Sequence, residues 1–96
     1  MPTEPIPDLV PDLVVEILSE SNTERERARK YGEYFQAGVE LVWEVDPKSR
    51  TVTVYTAPEQ STLLNETQTL EAGNVLPDFR LPLAQLFAEL DRQGNG

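Results

Sequence analysis

Asp12-Leu13-Val14-Val15-Glu16-Ile17-Leu18 decides how this chain is read: a short, branched apolar run with one carboxylate in its middle. Its length and its Leu, Val and Ile density suit a buried strand better than a helix. Side chains alternate along a strand, so Asp12, Val14 and Glu16 share one face and Leu13, Val15 and Ile17 the other. A carboxylate inside an apolar strand is costly to bury unless a charged group meets it. Glu16 therefore faces water from an edge strand, pairs with a lysine or arginine on a helix, or belongs to a site. Asp12 and Glu16 are about 13 Å apart at about 3.3 Å per residue. Two oxygens each about 2.1 Å from one magnesium cannot be that distant, so the two are not a chelating pair. A second ligand for a metal on Glu16 has to come from a neighbouring strand, and no residue stands out for it. Asp8 qualifies only if the residues before the strand fold back.

Ser19-Glu20-Ser21-Asn22 breaks the strand. Ser21 with Glu24, or Thr23 with Glu26, offers a capping box, and the helix it opens is predicted over 23–37. Ala28, Tyr31 and Phe35 recur at helical spacing, and Gly38 stands where a left-handed C-terminal cap belongs. Arg25, Arg27, Arg29 and Lys30 alternate with Glu24, Glu26 and Glu33, which reads as a solvated face, with Glu26 and Lys30 spaced as an i, i+4 ion pair. Glu40-Leu41-Val42-Trp43-Glu44-Val45 is a second strand, closed by the turn at 46–49. Thr51-Val52-Thr53-Val54-Tyr55 alternates at period two and pairs with it as a hairpin. Trp43 and Tyr55 are assigned to the core. Residues 57–74 read as mixed, with a short strand at 67–70 and a turn at 71–74. A last helix is expected from Pro82 to Leu90. The whole is an α/β (α+β) chain of strand, helix, β-hairpin and C-terminal helix. Residues 1–10 form an extended lead, 11–91 the domain and 92–96 a fraying tail.

Ninety-six residues make one small domain. Cysteine and histidine are both absent. Disulfides, thiolate metal sites, a Ser/His/Asp triad and a zinc deaminase site are excluded, and a reducing cytoplasm is the expected location. No apolar stretch approaches the roughly 20 residues that span a bilayer, and the first residues lack the basic start of a signal peptide. A net charge of −9 argues against binding nucleic acid over the whole surface, though basic groups gathered in one place can still do so.

The order of the segments resembles one family. Residues 11–19, Lys30 followed by Tyr34, Gly38-Val39, the run Val42 to Pro47, the strand 51–55 and the closing stretch Gly73 to Leu81 with Leu86-Phe87 are similar to the Uma-type restriction endonuclease family of the PD-(D/E)XK nuclease superfamily. The resemblance implies a restriction-endonuclease-like core acting on DNA with Mg2+, held by carboxylates on adjacent strands and assisted by a lysine. Two residues after Glu16 stands Leu18, not lysine. Carried over, Glu16 is the second acidic ligand and Lys30 a catalytic lysine moved to the helix, with Asp12 closer to structure and Asp8 a substitute ligand. Relatives carry a further N-terminal half with the first metal-binding aspartate. The expectation is therefore of a core truncated at its N-terminus, an incomplete or inactive fragment with an open apolar strand edge.

Two other functions compete with a magnesium-dependent endonuclease. One is a non-catalytic module that pairs through that edge with a second copy or with a missing half. The other is an acidic mimic of nucleic acid, which only the net charge suggests.

Overall fold

The computed structural model describes residues 10–94, which run β1 (Leu13–Ile17), α1 (Glu24–Ala37), β2 (Leu41–Asp46), β3 (Thr51–Ala57), β4 (Gln60–Asn65), β5 (Thr69–Ala72), β6 (Leu76–Pro82) and α2 (Leu83–Gly94). Asp8, with residues 1–9 of the expected lead, lies outside the described residues.

Four strands form one sheet in the order β1-β2-β3-β4. β1 and β2 are parallel, with α1 as the crossover between them, and the remaining pairs are antiparallel. α1 begins on the Thr23 capping box: the Thr23 hydroxyl accepts from the Glu26 N–H at 3.1 Å, and the Glu26 carboxylate accepts from the Thr23 N–H at 3.3 Å. It ends at Gly38, whose φ of 116° is left-handed backbone that a side chain would strain. The Gly38 N–H donates to the Phe35 carbonyl and the Val39 N–H to that of Tyr34. The Asp12 carbonyl accepts from both Glu40 and Leu41 N–H at 3.0 Å, which fixes where β2 enters beside β1.

The two faces of the sheet bury different groups. On one face, Val14, Val42 and Tyr55 pack under Tyr31, Tyr34, Phe35 and Val39 of α1 and its cap. On the other, Leu41, Trp43, Val45 and Val52 meet Leu70 and Ala72 of β5 and Leu83 and Phe87 of α2. β2 is covered on both faces, so Leu41 to Val45 are all buried. The Trp43 ring lies 5.3 Å from that of Phe79, as its core assignment required, but its indole N–H is buried without a hydrogen-bond partner among the described residues. Tyr55 is only half-buried, edge-on to Tyr31.

Residues 57–82 depart most from expectation. The segment read as mixed, 57–74, supplies β4 and β5, and β6 follows it before α2. The short strand falls at 69–72 instead of 67–70, so Glu71 and Ala72 belong to it and the turn moves on to 73–75. β4 is mostly exposed and has no apolar alternation; it is a strand because β3 offers it a partner. β6 carries Pro77 and Pro82, residues that cannot donate to a ladder and are confined to edges. Among the described residues it pairs with β5 alone, in a second sheet of two strands. α2 starts one residue after Pro82 and continues past the expected end at Leu90 to Gly94.

Arg50, in left-handed backbone at φ 58° in the β2–β3 turn, ties three segments together. Its Nε donates to Glu66 at 3.0 Å and its Nη1 to both Asp91 oxygens at 3.0 and 3.1 Å, while its guanidinium lies over the Phe87 ring. The two carboxylates hold the guanidinium above its ordinary pKa.

Candidate active site

The parallel register sets Glu16 of β1 directly beside Glu44 of β2, with both carboxylates on the face that α1 covers. Two negative charges on adjacent strands repel unless they are separately compensated, and α1 compensates each with its own pair of side chains. Lys30 Nζ donates to Glu16 Oε1 at 3.3 Å and Tyr34 Oη to Glu16 Oε2 at 2.6 Å. Arg27 Nε donates to Glu44 Oε1 at 3.1 Å and Tyr31 Oη to the same oxygen at 3.0 Å. Within each pair the cation and the tyrosine are four residues apart, hence one above the other on the helix. The expected Glu26–Lys30 pair does not form. Glu26 is committed to the cap of α1, and Lys30 reaches across to the sheet instead.

Burial separates the two units. Glu44 is buried, at 8% exposure, whereas the Glu16 side chain retains 24% and that of Lys30 46%. Glu16 can therefore exchange its partners for solvent or a ligand, while Glu44 is closed over. The tyrosines respond to the same surroundings. Burial, then the hydrogen bond to Glu16, pushes the Tyr34 phenol up to about 12. Burial, then the bond to Glu44, raises Tyr31 further.

Of the residues singled out in the sequence, Glu16 and Lys30 are brought together. Asp12 is not: it is exposed, outside β1, and contributes its carbonyl to the backbone pairing with β2. No carboxylate on a neighbouring strand stands out in the sequence as a partner for Glu16, and the register puts Glu44 beside it. The signal was present, since Glu44 interrupts Leu41-Val42-Trp43 and Val45 as Glu16 interrupts its own strand. What the sequence lacked was the register that aligns them. Tyr31, Tyr34 and Arg27 do not stand out as polar contacts in the sequence, where Tyr31 reads as helix packing and Arg27 as part of a solvated face.

Among the described residues no group of three or more carboxylates could hold a metal ion. Magnesium commonly takes one or two protein carboxylates and completes its shell with water and substrate phosphate. Glu16 fits that role as one ligand. Glu44 does not in this arrangement, because Arg27 and Tyr31 share one oxygen and enclose the group.

Comparison with known proteins gives the same fold. The family model Uma2, described as "putative restriction endonuclease", matches residues 3–84. A crystal structure of a putative nuclease belonging to DUF820 from Anabaena variabilis ATCC 29413 superposes with a TM-score of 0.72 at 21% identity, over 82% of this chain and 45% of that one. The present chain thus spans less than half the length of that protein. None of the curated proteins compared with the chain matches it.

Proposed function

This chain belongs to the Uma2 family of putative restriction endonucleases, and on that premise we propose that Glu16 and Lys30 form the centre of a magnesium-dependent site for hydrolysis of DNA phosphodiesters. The observation that carries the reading is the 3.3 Å contact between Lys30 Nζ and Glu16 Oε1, where α1 leaves the Glu16 carboxylate partly accessible. In such a hydrolysis a water oxygen bonds to phosphorus, one P–O ester bond breaks and the departing alkoxide takes up a proton. Tyr34 donates to the other oxygen of Glu16 and so helps to orient the carboxylate. Lys30, half-exposed, has Glu16 on one side and solvent on the other, so its ammonium is available to a phosphate oxygen or to the attacking water. A magnesium ion on Glu16 would neutralise charge building on the phosphate and favour hydroxide near neutral pH.

The test is nicking of supercoiled plasmid with and without magnesium, for wild type, Glu16→Ala and Lys30→Ala. Cleavage by wild type that needs the metal and vanishes in both variants supports the reading. No cleavage from folded wild-type protein, or cleavage unchanged in Glu16→Ala, rejects it.

A second reading is favoured by a separate observation. Val15 and Ile17, on the β1 face turned away from α1, are 50% and 57% exposed. β1 is the end strand of its sheet, with β2 as its one strand neighbour among the described residues. Such an edge suits a non-catalytic module that adds a strand from a second copy or another chain. It predicts association without cleavage. Among the described residues no helix is long and apolar enough to cross a membrane.

A further inference from the structure

Arg27 lines three clefts around the start of α1. One lies between the β1–α1 connection (Leu18, Ser19, Glu20, Asn22) and the turn after β2 (Asp46, Pro47, Lys48). The second holds Arg25, Tyr31 and Tyr55, and the third holds Arg29 and Lys30. The Arg27 guanidinium is anchored at one corner only, through Nε to Glu44. Among the described residues its terminal nitrogens make no hydrogen bond and no second ion pair, although the side chain is only 24% exposed. A guanidinium fixed at Nε presents its outer N–H groups as a preorganised fork, the geometry that suits a phosphate.

The surroundings favour an anion. Arg25, Arg27, Arg29 and Lys30 are four of the eight lysines and arginines of a chain whose net charge is −9. The carboxylates nearby are largely committed. Glu44 is closed by Arg27 and Tyr31, and Glu26 by the helix cap. Asp46 accepts from the Ser49 hydroxyl and the Lys48 and Ser49 N–H groups, and Glu20 pairs with Lys48. Glu24 and Glu33 remain on the rims of the second and third clefts.

We infer that Arg27 binds a nucleic-acid phosphodiester beside the Glu16–Lys30 site, and that Glu44 and Tyr31 are positioning residues that aim it. The choice of ligand rests on the nuclease reading. The competing account is that Arg27 serves only as the counter-charge of Glu44. Those accounts separate in the double variant R27M/E44M, which removes the whole ion pair and leaves no buried charge unpaired.

The experiment is fluorescence anisotropy of a labelled short DNA duplex over a range of salt, without added metal, with circular dichroism to show that each variant is folded. R27M/E44M is expected to bind about tenfold more weakly at low salt, with a salt dependence shallower by about one counterion. Glu44→Gln, which keeps the cation but loosens its hold, should weaken binding while leaving the salt slope unchanged. If the double variant does not fold, Arg27→Gln decides by the same two readouts. Wild-type affinity and slope in the folded charge-removing variant overturn the inference, and so does wild-type protein that does not bind the duplex. Plasmid nicking separates the two readings. Nicking that is lost in Glu16→Ala but retained in R27M/E44M rejects the Arg27 site alone. Duplex binding through Arg27 without any nicking rejects the nuclease and keeps the anion site.

Discussion

Glu16 and Glu44 are register partners on parallel strands, and one helix serves both: Lys30 and Tyr34 close on the first, Arg27 and Tyr31 on the second, three residues earlier. The two units are chemically alike and differ in access. The inner carboxylate is closed over by its two partners, whereas the outer one keeps a solvent-facing side.

Removing the inner carboxylate should therefore damage the fold. Glu44→Ala leaves the Tyr31 hydroxyl without its acceptor and the Arg27 guanidinium half-buried without its counter-charge. A loss of about 2–4 kcal/mol is expected in urea unfolding. Glu44→Gln keeps an acceptor for Tyr31 and should lose less. Equal losses for the two variants would show that the Tyr31 bond contributes nothing.

The tyrosines predict an alkaline limit to stability. Folding raises the Tyr34 phenol from 10.0 to about 12 and raises Tyr31 as well. The folded state therefore holds these protons when the unfolded chain has already released them. That stabilisation is complete below pH 10; the Tyr34 part is lost as pH rises from 10 through about 12, and the Tyr31 part goes on being lost above that. Denaturant midpoints measured along this range should fall, and the fall should be smaller in Tyr31→Phe/Tyr34→Phe. An identical decline in that variant would assign the effect to other groups.

Charge on the open strand should act on association and leave stability alone. Val15 and Ile17 are exposed, so Val15→Lys and Ile17→Lys are expected to change unfolding free energy by no more than about 0.5 kcal/mol. If the β1 edge pairs with a second copy, sedimentation velocity should show a wild-type species that grows with concentration and a monomer in the lysine variants. A wild-type protein that stays monomeric throughout argues against self-pairing.

Local signals carried the first half of the chain. The Thr23–Glu26 box, the apolar spacing of Tyr31 and Phe35, and Gly38 each fix their own few residues, so α1 was legible before any tertiary contact. β1, β2 and β3 were legible because branched residues recur in short runs. Glu16 beside Lys30 followed from resemblance, and its geometry from the crossover. Glu44 remained hidden because its significance depends on which residue stands across from it in a parallel pair. That alignment is set by the length of α1 and by the Asp12 carbonyl, not by any pattern within β2. β4 and β6 were hidden for a related reason. Gln60-Ser61-Thr62 has little apolar content, and Pro77 and Pro82 argue against a strand until an edge position makes them acceptable.

The placement of Glu16 on an end strand ties the outer unit to an edge of the sheet. β1 has one strand neighbour among the described residues, whereas β2, which bears Glu44, is clamped on both sides. Opening events that release β1 cost less than those that expose β2. Amide protons of residues 14–17 should thus exchange with solvent sooner than those of 42–45. A ligand that engages Glu16 and Tyr34 together would slow that exchange, adding its binding free energy to the hold on β1. In this molecule, occupancy of the outer carboxylate and the integrity of the sheet edge are one equilibrium viewed from two sides.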